Sequence, residues 1–308
     1  MAKNDNLTDF LTDVADAIRE KKGITGKINP QDFADEITSI QGGGGENPTP
    51  DIPIIGDGKV YLHIKIAEKG RMNVPLYWSQ TVANGVTIDW GDGSSTHTLG
   101  GTGNVKTSHA YSEIGEYTIS LNPSSECTLG LGHKSSSYCV MGSTSSNNDA
   151  IYRCMLKAVE IGNSVTSLDN YAFSQCYSLA NVVVLPGVTT IGSSVFYLCY
   201  SLSKVVMPQG ISTIGSSAFY SCYSLAKIVM PQGVTSIGDN AFSGCYGMAC
   251  YDFTQCTSVP SITGSYVFRY KPSDCKMIIP DSLYDTWKKA TNWSTYASSM
   301  VKASEFNG

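Results

Sequence analysis

The sequence predicts a multidomain, mainly β chain. A helical hairpin and a β-sandwich precede a solenoid of short repeats, which a helical C-terminal cap closes. Three observations carry this prediction. Apolar residues over 1–41 recur at helical spacing, those over 57–122 alternate with a period of two, and those over 151–257 recur every 23 residues. At 308 residues the chain has room for two or three domains.

The first element is helical. Leu7, Phe10, Leu11, Val14, Ala15 and Ile18 form one apolar stripe. Asp5, Asn6 and Thr8 are N-cap candidates, and Asp9 places an acid in the first turn. Lys21 to Lys27, with Gly23 and Gly26, reads as a turn. Asn29-Pro30 then starts a second helix whose apolar face is Phe33, Ile37 and Ile40. Two helices of this size bury little surface alone. The stripes therefore read as a docking element, for copies of themselves or for a larger partner; a self-contained hairpin is the alternative. Residues 42–56 form a linker, flexible over Gly42–Gly45 and stiffer through Pro48, Pro50 and Pro53.

Residues 57–122 read as β. Val60, Leu62, Ile64 and Ile66 alternate with Tyr61, His63 and Lys65, the period of a half-buried strand. Val86 to Trp90 is the next strand, and Tyr117, Ile119 and Leu121 alternate in a third after a turn at Gly115. Three motifs occur in order: Asp89-Trp90-Gly91-Asp92-Gly93, His109-Ala110-Tyr111, and Gly115-Glu116-Tyr117-Thr118-Ile119. They resemble the signature of the PKD family of immunoglobulin-like β-sandwiches, with Trp in place of the family's usual Phe. The resemblance implies a spacer or interaction module with Trp90 in its core. Residues 123–150, rich in Ser, Gly and Asn, read as the join to the solenoid, with short strands at Cys127–Leu131 and Tyr138–Met141. The 57–150 stretch is thus one sandwich and connector.

The solenoid follows over 151–257. Phe173, Phe196, Phe219 and Phe242 are spaced by 23, as are Cys176, Cys199, Cys222 and Cys245, and Val165, Val188, Ile211 and Val234. A fixed period of this length means one supersecondary unit stacked on itself. Ile191, Ile214 and Ile237 point inward from one short strand; Val182, Val205 and Ile228 begin a second. Leu156 and Val159 mark a degenerate first rung. The unit, Val-Thr-x-Ile-Gly-x-x-Ala-Phe-x-x-Cys-Tyr-Ser-Leu, is similar to the BspA-like leucine-rich repeat. That family occurs in bacterial surface adhesins, in protist surface proteins and in phage-encoded proteins. Residues 258–308 break the period and read as a cap, with a strand at Met277–Pro280, a helix over Asp281–Ala290 capped by Asp281 or Ser282, and another over Asn292–Lys302. Trp287 and Trp293 belong to this cap or to a contact patch.

Composition excludes several function classes. Net charge is −5 and pI about 5.4, unlike the basic footprint of a nucleic-acid binder. There is no run of 18 apolar residues, so no membrane span is expected. The ten cysteines show no zinc-like spacing and read as reduced and structural. Ser201-x-x-Lys204 and Ser224-x-x-Lys227 match a serine-acylase pattern, but their 23-residue spacing makes them part of the repeat. His63, His97, His109 and His133 do not cluster in sequence, and His109 reads as structural. Gly100–Gly103 and Gly130-Leu131-Gly132 read as turns. The acids Asp89 and Asp92 lack the further oxygens of a calcium site. No catalytic residue, metal or cofactor is expected, and the charge-poor solenoid offers no paired carboxylates for glycoside hydrolysis.

The candidate binding residues are tyrosines. Tyr177, Tyr200, Tyr223 and Tyr246 follow the repeated cysteine, and rungs about 4.8 Å apart would align them in a stripe on the order of 15 Å long. Tyr197 and Tyr220 add a shorter row. Such a stripe offers stiff contact area to a glycan or a protein; the alternative is that the rings only stack on each other. The N-terminal pattern Leu-x-x-Val-Ala-x-Ala-Ile-Arg, then Ile-Asn-Pro-x-x-Phe, resembles segments at the start of tailed-phage structural proteins. With no signal peptide visible at Met1–Asn6, this implies a non-enzymatic virion protein, a head or tail fibre or decoration protein. It would be assembled in the bacterial cytoplasm, docked on a virion structural protein through residues 1–41, and bound to a host-surface glycan or protein through the repeats. A homo-oligomer such as a trimer fits this picture. A BspA-like adhesin at the bacterial surface is the alternative, and a purely structural decoration protein a further one.

Overall fold

The structure, a computed structural model, describes residues 55–69, 72–132, 138–145 and 149–306. The docking stripes of residues 1–41 and most of the linker lie outside the described residues. The linker's end is fixed: the backbone N–H groups of Ile55 and Gly56 donate to the buried Glu160 carboxylate, each at 2.9 Å.

The β segment begins with β1 (Val60–Ile66), β2 (Asn73–Gln80), β3 (Val86–Asp89), β4 (His97–Thr98), β5 (Gly103–Ala110), β6 (Gly115–Pro123) and β7 (Leu129–Leu131). β1, β6, β3 and β4 pair antiparallel in one sheet, and β5, β2 and β7 in another. Val60, Leu62, Ile64 and Ile66 are buried, as their alternation requires, and share one apolar core with Val74, Leu76 and Trp78 of β2. Three strands, β2, β4 and β5, were not expected from the sequence. β2 was hidden by Pro75, which faces the stretch of β2 that β7 does not reach. β5 is an edge strand of mostly polar residues. β7 falls within the strand expected at Cys127–Leu131, so of the turn read at Gly130-Leu131-Gly132 only Gly132, with φ +78°, lies outside the strand.

The motifs of this segment converge on Trp90. Its ring is 1 % exposed and stacks on His109 at 4.9 Å, while the Tyr111 hydroxyl donates to the Trp90 carbonyl at 2.8 Å. Asp89 and Asp92 accept the backbone N–H groups of Gly91 and Ser94, and Asp92 also meets His109 Nε2 at 2.6 Å. These carboxylates brace the turn. Gly91 is required there, because a Cβ would stand 2.4 Å from the Thr118 carbonyl oxygen.

The connector holds β8 (Tyr138–Cys139), β9 (Gly142–Ser143) and α1 (Ala150–Met155). The rungs then supply β10 (Leu156–Ile161), β11 (Ser167–Leu168), β12 (Asn181–Val184), β13 (Thr190–Ile191), β14 (Lys204–Val206), β15 (Thr213–Ile214), β16 (Lys227–Val229), β17 (Ser236–Ile237), β18 (Cys250–Asp252), β19 (Ser261–Ile262) and β20 (Lys276–Ile279). Parallel ladders run β10-β12-β14, β11-β13-β15-β17-β19 and β16-β18-β20. Val159 faces Val182, so the degenerate first rung is part of the ladder. β14 and β16 are not paired. Beyond this seam Lys227 meets Asp252 at 3.2 Å.

The N-terminal sheets and the repeats are joined through the backbone. β1 pairs antiparallel with β10, so one seven-stranded sheet runs from β4 to β14. This pairing covers the first edge of the solenoid, which would otherwise expose unpaired N–H and C=O groups. The connector adds a second tie, from Val140 N–H to the Ala172 carbonyl at 2.8 Å.

At the other end the 23-residue period breaks after 257, as expected, but the ladder does not. Ser236 pairs with Ser261 and Cys250 with Lys276, steps of 25 and 26, so a rung with two or three inserted residues follows. Phe268 extends the phenylalanine column, stacking on Phe242 at 5.7 Å. α2 (Tyr284–Lys289) and a 3-10 helix (Trp293–Ser299) then close the column. The expected helix to Lys302 ends early, and β21 (Met300–Lys302) adds a parallel strand to β20. Asp281 caps nothing; its carboxylate accepts from Ser304. Trp287 and Trp293 are 0 % and 1 % exposed and pack on Phe253, so they form no surface patch. Trp293 Nε1 donates to the Pro260 carbonyl, Asn292 Nδ2 to Ile262 and the Tyr296 hydroxyl to Ser265, at 2.7, 2.9 and 2.7 Å. At Pro260 and Ile262 the cap thus satisfies carbonyls that a further rung would have used.

The cysteines are architecture. All ten are free, and the thiols of Cys199, Cys222 and Cys245 each donate to a phenylalanine carbonyl of the rung before, at 3.2 Å. Burial pushes their pKa values up, that of Cys245 to about 12. In the native protein at pH 8, a disulfide reagent such as DTNB is expected to reach only the half-buried Cys154, and slowly because burial pushes that thiol up as well, but to react with all ten thiols after denaturation. Rapid native reaction of several thiols would contradict this packing.

Candidate binding face

Each rung turns through the segment that carries its tyrosine. Two left-handed residues per rung shape that segment: Ser194 and Leu198, Ser217 and Ser221, then Asn240 and Gly244. Between them the Phe and Cys side chains point into the core, fully buried, and the following Tyr is turned to the rim. The tyrosine hydroxyls and ring edges therefore reach the surface while the Cβ atoms sit on the rigid ladder.

The structure brings the predicted residues together. Tyr177 and Tyr200 stack at 5.5 Å, Tyr200 and Tyr223 at 4.7 Å, and Tyr223 and Tyr246 meet tilted at 5.4 Å. Tyr197 and Tyr220 form the second row at 5.1 Å. Stacking uses most of the ring faces, so inner rungs offer edges and hydroxyls instead of open faces. Tyr177, Tyr200 and Tyr223 are half-buried, and Tyr246 is exposed. Burial raises the hydroxyl pKa values of Tyr177, Tyr197, Tyr200, Tyr223 and Tyr246, which stay neutral hydrogen-bonding groups.

The two ends of the face differ. At the first rung the buried Arg153 lies 6.0 Å from the Tyr177 ring centre and donates to the Ser143 carbonyl and to Gln175 Oε1. Gln175 Oε1 also accepts the Tyr177 hydroxyl at 3.0 Å. At the last rung Tyr270 extends the row, 6.4 Å from Tyr246, and Arg269 lies over the rings of Tyr266 and Tyr270. Sequence reasoning missed these three because the inserted residues break the 23-residue period and because they stand where the preceding rung has Asn240, Ser243 and Gly244. The Phe242 to Phe268 step of 26 gives the register of their rung but no tyrosine position of the repeat points to them.

Other candidate chemistry resolves into structure. Ser224 Oγ donates to the Tyr200 carbonyl and Lys227 pairs with Asp252, so the Ser-x-x-Lys pattern serves the ladder. Among the described residues no group of three His, Cys, Asp or Glu is arranged to hold a metal, and no helix is long and apolar enough to cross a membrane.

With this geometry in view, comparison with known proteins places the repeats. Residues 144–283 match the family model of the BspA type leucine rich repeat region in six copies. The match runs past residue 257, in keeping with the longer rung. Similar solved structures include the leucine-rich repeat protein TpLRR of T. pallidum, 28% identical over 40% of this chain and 58% of that one, with a TM-score of 0.36. A leucine-rich repeat protein of Bacteroides ovatus is 23% identical over 48% and 42%, with a TM-score of 0.38. A leucine rich cell surface protein of Faecalibacterium prausnitzii is 26% identical over 42% and 36%, with a TM-score of 0.37. The chain spans less than two thirds of each of them. No curated protein sequence matches the chain.

Proposed function

We propose that this chain is a non-enzymatic adhesion protein of the BspA-like type, displayed at a bacterial cell surface, whose repeats bind a glycan or a protein. The observation that carries the reading is the double tyrosine row on the rim of a BspA-type repeat region. Rigid phenols on a fixed ladder lose little entropy on binding, and the surrounding Ser, Thr and Gln give neutral hydrogen-bonding partners. The sheets around Trp90 support a PKD-like spacer that sets the repeats on a firm base, because β1–β10 pairing leaves no free joint. The repeat-family match favours the surface adhesin over the virion protein, which rests on residues 1–41 alone.

Attachment of the purified chain to bacterial cells, epithelial cells and immobilised mucin tests this. Tyr200→Ser with Tyr223→Ser is expected to cut attachment at least tenfold. Tyr200→Phe with Tyr223→Phe keeps the stack and removes the hydroxyls, separating contact from packing. Unchanged attachment by both pairs, with native circular dichroism, would remove the tyrosine row from the function.

A further inference from the structure

The last rung departs from the repeat at three positions, and the departures meet at one spot. The N–H groups of Phe242 and Gly244 donate to the carbonyls of Val267 and Arg269, as those of Phe219 and Ser221 donate to Ala241 and Ser243 one rung earlier. This register makes Tyr266, Arg269 and Tyr270 the counterparts of Asn240, Ser243 and Gly244. The inner rung builds the same turn from small or amide side chains. The fold therefore requires neither the two rings nor the guanidinium at this place.

The three side chains are exposed and mutually arranged. Tyr266 and Tyr270 are 50% and 52% exposed. The guanidinium carbon of Arg269 stands 4.8 Å from the Tyr266 ring centre and 4.6 Å from that of Tyr270. The Arg269 guanidinium makes no hydrogen bond or ion pair among the described residues, so its side-chain N–H donors are unspent. A guanidinium positioned by two rings gives up little further freedom on meeting a bidentate acceptor, and a carboxylate matches its fork. Charge agrees: residues 151–308 hold ten Lys and Arg against eight Asp and Glu, in a chain of net charge −5. Here, unlike on the inner rungs, the phenols leave ring area open beside the cation, a flat apolar surface for the C–H face of a sugar ring.

We propose that Tyr266, Arg269 and Tyr270 form a site for a carboxylate-bearing sugar of an acidic polysaccharide, at the end of the tyrosine row. The proposal rests on the reading of the repeats as a glycan-binding face and names the sugar class that its terminal site takes.

The test measures binding of the full chain to immobilised polygalacturonate, to its carboxyl-reduced neutral form and to dextran sulfate. The wild type is expected to bind polygalacturonate at least tenfold more tightly than the neutral form. Arg269→Gln should remove that difference, and Arg269→Lys, a point charge without the fork, should restore only part of it. Equal binding of wild type and Arg269→Gln to polygalacturonate overturns the site, as does binding to none of the polymers. Tighter binding to dextran sulfate, fully restored by Arg269→Lys, also overturns it, since that is attraction to any polyanion. If Arg269→Gln has no effect while the Tyr200 and Tyr223 serine pair abolishes binding, the acidic-sugar site fails and the tyrosine row stands. The opposite pattern removes the row and keeps the site.

Discussion

Phe219→Ala is expected to destabilise the protein by about 3–5 kcal/mol, the cost of emptying a fully packed aromatic site. Phe219 is 0 % exposed and lies between Phe196 at 5.2 Å and Phe242 at 5.1 Å. Removing its ring leaves a hole that faces both neighbours, and the rungs cannot slide together because their backbones are already hydrogen-bonded. Stability in a solenoid is a sum of rungs and of contacts between nearest neighbours, so the variant loses two contacts at once. Against a whole-domain stability of about 5–15 kcal/mol this is a large share. Urea unfolding followed by circular dichroism measures it. Amide exchange should quicken first around residues 196–242, ahead of β1 and β6. A loss under about 1 kcal/mol would mean that the phenylalanine column is not the core that holds the repeats.

Gly215→Ala is the second large effect, through the backbone instead of the core. Gly192, Gly215 and Gly238 recur at one repeat position. A Cβ on Gly215 would lie 2.6 Å from both the carbonyl carbon of Gly192 and the N of Ser193, and one on Gly238 2.4 Å from the N of Ser216. Neither contact is with a side chain that could turn away. The rungs would have to part where Gly215 N–H donates to the Ile191 carbonyl at 2.8 Å. Overpacking of this kind costs about 1–3 kcal/mol, and the upper end applies because backbone must move. Gly210 is the control: a Cβ there meets nothing within 4 Å, so Gly210→Ala should be neutral or stabilise by up to about 1 kcal/mol. Equal melting temperatures for the two variants would refute this account of the glycine row.

Much of the fold was legible because the repeat is its own alignment. A residue type that returns every 23 positions announces the same environment each time, and Phe, Cys and Ile did so at sites that are all buried. The strand Val60–Ile66 was legible for a similar reason, since one of its faces is core. The strand Asn73–Gln80 was not, because Pro75 argues against a strand unless it is known which neighbour leaves that edge open. Nor was Gly103–Ala110, a strand held by its partner's hydrogen bonds with little apolar pattern of its own. The last rung was lost to two or three inserted residues, which shift the phase of every later position while leaving the ladder intact.

The candidate site divides in the same way. Its register was in the sequence: equal spacing alone aligns Tyr177, Tyr200, Tyr223 and Tyr246. How the rings meet was not, because spacing along a chain says nothing of whether two phenols stack face to face or stand apart. Stacking at 4.7–5.5 Å turns the inner rings toward each other and leaves the open ring area at Tyr266 and Tyr270. The sequence by itself determined a mainly β chain with a 23-residue parallel repeat, since periodic burial is a one-dimensional signal. Only the tertiary structure decided that β1 seals the first edge of that repeat, that Trp293 and Tyr296 seal the last, and that Arg269 comes to rest over two tyrosines. Those are contacts between residues whose separation in sequence carries no period, and they form only when the rungs have stacked.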